Sequence, residues 1–266
     1  MATKQYDVIV IGAGVIGLST ALHLAEQGRS VLLLEQQLYK KAGGDFRDCE
    51  PVLKLNPTSD TEIDIVTESQ TYKAKATVIT VGPWAKSFLS QPPLNLEVPV
   101  QTSKTIASYW KESPEGSYSW KTTPVVIVPQ QDHDYFMKPS CEITGAVYLG
   151  LHFGKPVDPN EPYKTTLTEE YVKLARSFYQ QFLPCLEQDP IAMHDCIYTE
   201  SPDSDYIIDR HKSYSNVIFA TVFSGHAFKL GPVIGKLLSQ LAANRPTSYD
   251  LSAFTLNRFS AESTNY

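Results

Sequence analysis

The sequence predicts an α/β fold in which one domain is assembled from both ends of the polypeptide and a second domain, of mixed sheet and helix, lies between them. Three observations lead there. Tyr6–Ile11 is a short, β-branched apolar run that passes through a glycine turn into helically spaced Leu18, Leu22 and Ala25, and a second apolar run follows at Val31–Leu34. Strand-like runs of the same kind return late in the chain, at Tyr206–Asp209 and Val217–Val222, before a closing helix that opens G-P-V-I-G-K. The stretch from Leu94 to Phe153 instead holds several shorter β-like runs and is followed by one helical segment, Thr168–Phe182.

With 266 residues, 42% hydrophobic and 20% charged, the chain can bury a sizeable core. Its net charge is 23 − 29 = −6, which leaves no basic surface for a phosphate backbone and argues against a nucleic-acid partner. The charge-free run Val8–Leu22 is fifteen residues long and contains three glycines, whereas a spanning helix needs about twenty apolar residues, so no membrane segment is expected. Asp7 abuts that run, which does not suit a signal peptide. Cys49, Cys141, Cys185 and Cys196 form no close pairs; reduced thiols are expected, and no metal site. Asn56 is followed by Pro57 and cannot accept a glycan.

In chain order, Tyr6–Ile11, the glycine turn, the helix ending near Gly28 and Val31–Leu34 form a βαβ unit, and the continuous V-L-L-L run suits a strand buried on both faces. Pro51–Asn56, Glu62–Thr67 and Thr71–Val81 alternate like strands, with a turn expected at Pro57–Asp60, and read as a small strand-rich insertion. A strand is expected at Cys196–Thr199.

Gly12, Gly14 and Gly17 follow a strand and open a helix, the context in which G-x-G-x-x-G binds a dinucleotide. Gly12 permits the tight turn, Gly14 lets backbone approach a pyrophosphate, and Gly17 lets helix pack on strand. The helix N-terminus contributes free N–H groups and partial positive charge. Glu35, eighteen residues after Gly17 at the end of the next strand, is placed to accept hydrogen bonds from a ribose diol and disfavours a 2′-phosphate. Flavin and nicotinamide cofactors share this cradle. Thr77–Gly82, followed by Pro83-Trp84, resembles the later strand that many FAD enzymes run beneath the dinucleotide, which tilts the choice toward flavin. Phe223–Lys229 (F-S-G-H-A-F-K) is a glycine turn after a strand end, a place for active groups, although a helix cap with a solvated lysine has the same spacing.

Four separated segments, D-V-I-V-I-G-A-G, V-I-T-V-G-P-W, C-I-Y-T-E-S-P-D-S-D-Y-I-I-D-R-H and F-S-G-H-A-F-K-L-G-P-V-I-G-K, resemble the monomeric sarcosine oxidase and peroxisomal sarcosine/L-pipecolate oxidase family of FAD-dependent amine oxidases. The resemblance implies a Rossmann-like FAD-binding domain split between residues 1–98 and 193–266, with a mixed β-sheet and helix substrate domain at 99–192. It implies FAD joined covalently to Cys196, with Gly12, Gly14, Gly17, Glu35, Gly82 and Gly225 also at the cofactor. Lys229 would hold the substrate carboxylate, and His152 and Tyr198 would lie beside flavin and substrate. The implied reaction oxidises a secondary amino acid such as sarcosine or L-pipecolate to an imine while oxygen becomes hydrogen peroxide; the alternative is a flavin-binding remnant without turnover. A monomer is expected, with amino acid and oxygen as its partners. The family implies a peroxisomal location, otherwise cytoplasmic, and the chain ends Thr-Asn-Tyr rather than in a tripeptide like S-K-L.

The chain also departs from the family pattern. After Glu35 roughly 120 family residues have no counterpart, close to a domain's worth. They include the arginine that partners the carboxylate-binding lysine and a loop over the flavin, so an internally shortened product is expected. Tyr148 stands where the family has a lysine thought to help oxygen react, and Phe136 where a tyrosine contacts substrate. Gln36–Asp45 supplies ten residues where a parallel crossover needs about a dozen. Either the connection is strained or the strands it joins are not in one parallel sheet. A missing layer should also leave apolar core surface exposed.

Overall fold

A computed structural model describes residues 5–35, 45–130 and 133–260. The chain forms two compact units, Met1–Val100 with Thr199–Tyr266, and Gln101–Tyr198.

The first unit is built on a sheet ordered β13-β14-β6-β1-β2-β3. Its strands are β1 (Gln5–Ile11), β2 (Val31–Leu34), β3 (Asp45–Arg47), β4 (Val52–Ser59), β5 (Glu62–Thr67), β6 (Thr71–Ile79), β13 (Ile207–His211) and β14 (Tyr214–Thr221). β14, β6, β1, β2 and β3 run parallel, with Ile9 opposite both Leu32 and Thr77 and Val217 opposite Thr77. β13 closes the edge antiparallel to β14.

Because both faces of these strands are covered, their side chains sort by parity into two cores. Val8, Val10, Leu33, Val78 and Ile218 pack with Ile16, Leu24, Ile234 and Leu238. These last four belong to α1 (Val15–Glu26) and α4 (Gly231–Ala242). Ile9, Ile11, Leu32, Leu34, Ile79 and Phe219 face the other way, against Leu55, Ile63, Leu89, Leu94 and Leu96. Of these, Leu89 closes the short α2 (Ala85–Leu89). The two long helices approach closely because of glycine: a Cβ at Gly235 would lie 2.4 Å from Ser19 Oγ. α1 ends at Gln27, where Gly28 takes φ +73°.

Three expectations change here. β4 runs on through Pro57, paired with Ile63 of β5, so the turn falls at Asp60-Thr61. β4 pairs with β5 alone, and an edge strand tolerates a residue that has no N–H to donate. The hairpin is also no separate insertion, since β5 pairs antiparallel with the first half of β6 and thereby joins the main sheet. β2 and β3 do lie in one parallel sheet, Leu32 opposite Asp45 and Leu34 opposite Arg47. Three residues suffice because backbone bonds from Glu35 N–H to Arg47 O and from Glu50 N–H to Glu35 O extend the ladder. The connection that was expected to be strained lies outside the described residues. The sheet faces are not left bare, since the hairpin, α2 and the segment 94–100 cover the second face. Among the described residues of this unit the exposed large apolar side chains are Leu22, Leu53, Phe228, Val233 and Tyr249, none of them on a central strand, whereas the second unit exposes Trp120, Val125, Ile127, Tyr163, Phe182, Ile191 and Met193.

The second unit is a sheet of β7 (Gln101–Glu112), β8 (Val126–Val128), β9 (Asp134–Pro139), β10 (Ala146–His152), β11 (Lys155–Pro156) and β12 (Leu186–Glu200), with α3 (Thr168–Phe182). β7, β10, β9 and β8 pair antiparallel in that order, and β12 pairs with β7. Val147, Leu149 and Leu151 point toward α3 and pack with Trp110, Tyr171, Phe178 and Tyr179. Tyr135 stacks on Phe178 with ring centroids 4.2 Å apart, and the buried Tyr171 hydroxyl donates to Leu149 O at 2.9 Å. The strand expected at Cys196–Thr199 therefore starts ten residues earlier, at Leu186. The breaks fall after Val100 and Tyr198 rather than after 98 and 192, which moves Cys196 and Tyr198 into this unit. No described helix is long and apolar enough to cross a membrane.

Candidate functional site

In the first unit, the carboxyl ends of the parallel strands frame a cavity of about 380 Å³, lined by Gly12, Gly14, Glu35, Glu50, Thr80, Gly82, Trp84 and Gln91 among others. A strand-end crevice is where open α/β sheets bind ligands. The glycines divide the work. Gly12 takes φ +97°, and a Cβ there would sit 2.4 Å from Thr80 O; a Cβ at Gly17 would sit 1.9 Å from Gly12 O. Both positions are matters of packing. Gly14 caps α1 with φ −64° and has nothing within 4 Å of a would-be Cβ, so it is the one that leaves room for a ligand.

Side chains brace this turn from both sides. The Glu35 carboxylate accepts the Ala13 N–H at 2.5 Å, and the Thr80 hydroxyl lies 3.1 Å from both Ile11 O and Gly12 O. Glu50 takes hydroxyls from Thr67 and Ser69, which help hold its carboxyl below the ordinary value although burial, the largest influence, pushes it up. No Lys, Arg or His lines the cavity among the described residues. An anionic pyrophosphate would therefore have to be met by the N–H groups and dipole of α1. The residues present fit a dinucleotide: a cradle that one Cβ at position 14 would fill, a helix N-terminus, and a carboxylate at the end of the second strand.

In the second unit, residues far apart in sequence share one sheet face, the face away from α3. Alternation along β10 points Tyr148, Gly150 and His152 opposite to Val147, Leu149 and Leu151. Tyr198 of β12 joins that face, its ring 5.3 Å from that of His152. Tyr109 links Tyr148, at 5.3 Å, to His194, at 5.8 Å. Phe136, opposite Gly150 in the ladder, lies so close over it that a Cβ at position 150 would be 2.1 Å from Phe136 Cζ. Cys196 is half-buried, its thiol 3.8 Å from His194 O. Burial, and then the charge of Asp195, push that thiol up. Burial likewise pushes the Tyr148 hydroxyl far up, so it stays protonated and neutral.

Gly12, Gly14, Glu35 and Gly82 thus line the cavity, and Gly17 sits beneath its turn. Gly225 does not line it; with φ +74° it lies in the turn after β14. His152, Cys196 and Tyr198 meet on the second unit's face. Lys229 belongs to the first unit, exposed on a helical turn just before α4, with no carboxylate in ion-pair reach among the described residues. Sequence reading missed Thr80, Glu50 and Gln91 in the cavity and Tyr109 and His194 on the face. Only Thr80, at the end of a strand already singled out, had a usable signal.

The family model described as FAD dependent oxidoreductase matches residues 7–40 and 37–241. The chain is 36% identical over 228 residues to the peroxisomal sarcosine oxidase of Homo sapiens, covering 84% of this chain and 57% of that one. It is 33% identical over 216 residues to the monomeric sarcosine oxidase of Bacillus sp. (strain NS-129), covering 78% and 54%. It thus spans little more than half the length of these relatives. Among solved structures, the open form of NikD, an unusual amino acid oxidase essential for nikkomycin biosynthesis, superposes with a TM-score of 0.78 at 16% identity, covering 96% of this chain and 98% of that one. L-proline dehydrogenase from P. horikoshii superposes with 0.82 at 14% identity, covering 97% and 98%. At such identities these two show the fold alone. With the strand-end cavity, the braced glycine turn and the family match taken together, the chain belongs to the FAD dependent oxidoreductase family.

Proposed function

We propose that this chain binds FAD and oxidises a small secondary amino acid, of the sarcosine or L-pipecolate class, to an imine, with dioxygen ending as hydrogen peroxide. The observation that carries the reading is the cavity around Gly12, Gly14 and Glu35, whose open space lies at Gly14 and whose walls bear no basic group among the described residues. The identities to sarcosine oxidases support the substrate class.

Bound flavin supplies a two-electron acceptor. The chain's own groups would bind and orient. Gly14 and the N-terminus of α1 would hold the pyrophosphate, and Glu35 the ribose diol. Lys229 would hold the substrate carboxylate through a charge-assisted contact. His152 and Tyr198 would orient the substrate, and Cys196 would carry the covalent link. The imine, once released, hydrolyses in water. Phe136 has no ionisable group and Tyr148 keeps its proton, so neither takes a proton from the amine. Amino acid and oxygen are the partners, the protein acts as a monomer, and the likeness to peroxisomal enzymes supports a peroxisomal location.

A second reading, flavin binding without turnover, is favoured by the chain's spanning only 57% of its human relative. Purified protein separates the two. Absorbance near about 450 nm reports bound flavin, and colour kept in the acid-precipitated protein but lost in Cys196→Ser reports the covalent link. Peroxide formation with sarcosine or L-pipecolate supports the oxidase; bound flavin without peroxide leaves the second reading, and no bound flavin overturns both.

A further inference from the structure

The turn that follows β14 is strained at several points, and its strain has identifiable restraints. Val222 takes φ +59° and Ser224 φ +45°, conformations that a β-branched residue in particular rarely adopts. The hydroxyls of Thr221 and Ser224 are buried without a hydrogen-bond partner among the described residues. Such a segment persists only where its surroundings over-determine it, and it is a marker of function. Here the surroundings are the last residues of β12 and the loop that follows them. Thr199 O accepts the Ser224 N–H at 2.8 Å, and Thr199 Oγ1 accepts the Phe223 N–H at 3.2 Å.

The second restraint is a side-chain pair. Tyr206 Oη and His226 Nδ1 are 2.7 Å apart, and His226 Nε2 lies 3.2 Å from Ser204 O. A carbonyl can only accept, so Nε2 carries the proton and Nδ1 receives the Tyr206 hydroxyl's. Burial, and then Asp205, push the Tyr206 hydroxyl up, which keeps it a donor. Tyr206 cannot swing away: it is 9% exposed and packed by Phe223, Phe254 and His226, with ring centroids 5.7, 5.9 and 5.1 Å away. The loop beneath is pinned in turn by Arg258, whose guanidinium holds Asp203 at 2.7 Å and Asp205 O at 3.0 Å. Three residues beyond His226, Lys229 projects into solvent.

The geometry points to Tyr206 as a positioning residue that, through His226, holds the strained 222–226 turn so that Lys229 is presented to a carboxylate. This rests on the reading of Lys229 given above. Tyr206→Phe removes one hydroxyl and keeps the ring packing, so it tests the hydrogen bond alone.

The experiment measures acetate binding to the FAD-loaded protein by the flavin difference spectrum, with Tm and FAD affinity recorded for every variant. Lys229→Met should abolish saturable acetate binding; if it does not, the carboxylate reading fails and the inference with it. Tyr206→Phe should weaken acetate about fivefold, the loss of one hydrogen bond, with FAD affinity unchanged. His226→Ala, at an exposed position, should weaken it similarly and serves if Tyr206→Phe folds poorly. The decisive comparison is the double variant, which should lose no more than His226→Ala alone. With Lys229→Met still disruptive, an acetate affinity within twofold of wild type in Tyr206→Phe, or additive losses in the double variant, overturns the role of Tyr206 and leaves the carboxylate reading standing.

Discussion

The Glu35 carboxylate accepts the N–H of Ala13, tying the end of β2 to the glycine turn after β1. A residue expected to serve the ribose alone therefore also shapes the loop proposed to receive the pyrophosphate. A carboxylate has about four acceptor sites, so the two roles are compatible. Glu35→Ala should weaken FAD by about 1.5–3 kcal/mol, roughly 10–150-fold. Titration of flavin-free Cys196→Ser protein measures it, and an unchanged affinity would remove Glu35 from the cofactor site.

Gly14 and Gly17 should respond oppositely to alanine. Position 14 has an ordinary φ and open space around it, so Gly14→Ala should fold with unchanged Tm when flavin-free, yet lose roughly tenfold or more in FAD affinity because its methyl occupies the ligand's place. Gly17→Ala drives a Cβ to 1.9 Å from Gly12 O and should cost about 3 kcal/mol of stability, lowering Tm by several degrees even without flavin. Thermal melts and flavin titrations on both variants check the contrast; equal Tm losses would contradict it.

Asp7 makes the first unit acid-sensitive. The Lys75 ammonium at 2.7 Å and the Ser30 N–H hold its carboxyl down from 3.8 to about 2. A depressed carboxyl contributes stability above its unfolded value, and that contribution is lost as pH falls through the folded one. The window is therefore about pH 4 to 2. Asp7→Asn should cost about 1–2 kcal/mol at neutral pH, and the difference from wild type should close by about pH 2. Urea unfolding at a series of pH values would show a gap that persists at pH 2 if another group is responsible.

Cys196 should be the slow thiol of the flavin-free chain. Its proton is held by burial and by Asp195, while Cys49 and Cys141 are exposed. At neutral pH iodoacetamide should modify Cys49 and Cys141 at least roughly severalfold faster, since the thiolate is the reacting form. Mass mapping of a labelling time course decides it; Cys196 reacting first would mean that the free thiol is already activated.

Local signals were enough for the elements that frame the strand-end cavity. The β-branched run, the glycine turn and the V-L-L-L strand are contiguous, and their conformations follow from sterics and two-sided burial within some thirty residues. α3, Thr168–Phe182, was equally legible from its spacing. Pairing partners were not. That β5 and β14 both bond along β6, and that β4 carries Pro57 through an edge ladder, depends on which strand lies alongside, and period-two alternation does not encode that.

The candidate site divides in the same way. Gly12, Gly14, Gly17 and Glu35 could be proposed from spacing because one βαβ unit contains them all. Phe136, Tyr148, His152, Cys196 and Tyr198 could be named only by resemblance, since they come from three strands. Sheet register and alternation against α3 are what put them on one face. The bond from Tyr206 to His226 spans twenty residues and is set by the fold around the strained turn, so chain order carries no sign of it. Residue type and local spacing determined where the strand, glycine turn and helix that frame the cavity form; the long-range ladder and the packing of both sheet faces decided which distant side chains stand together.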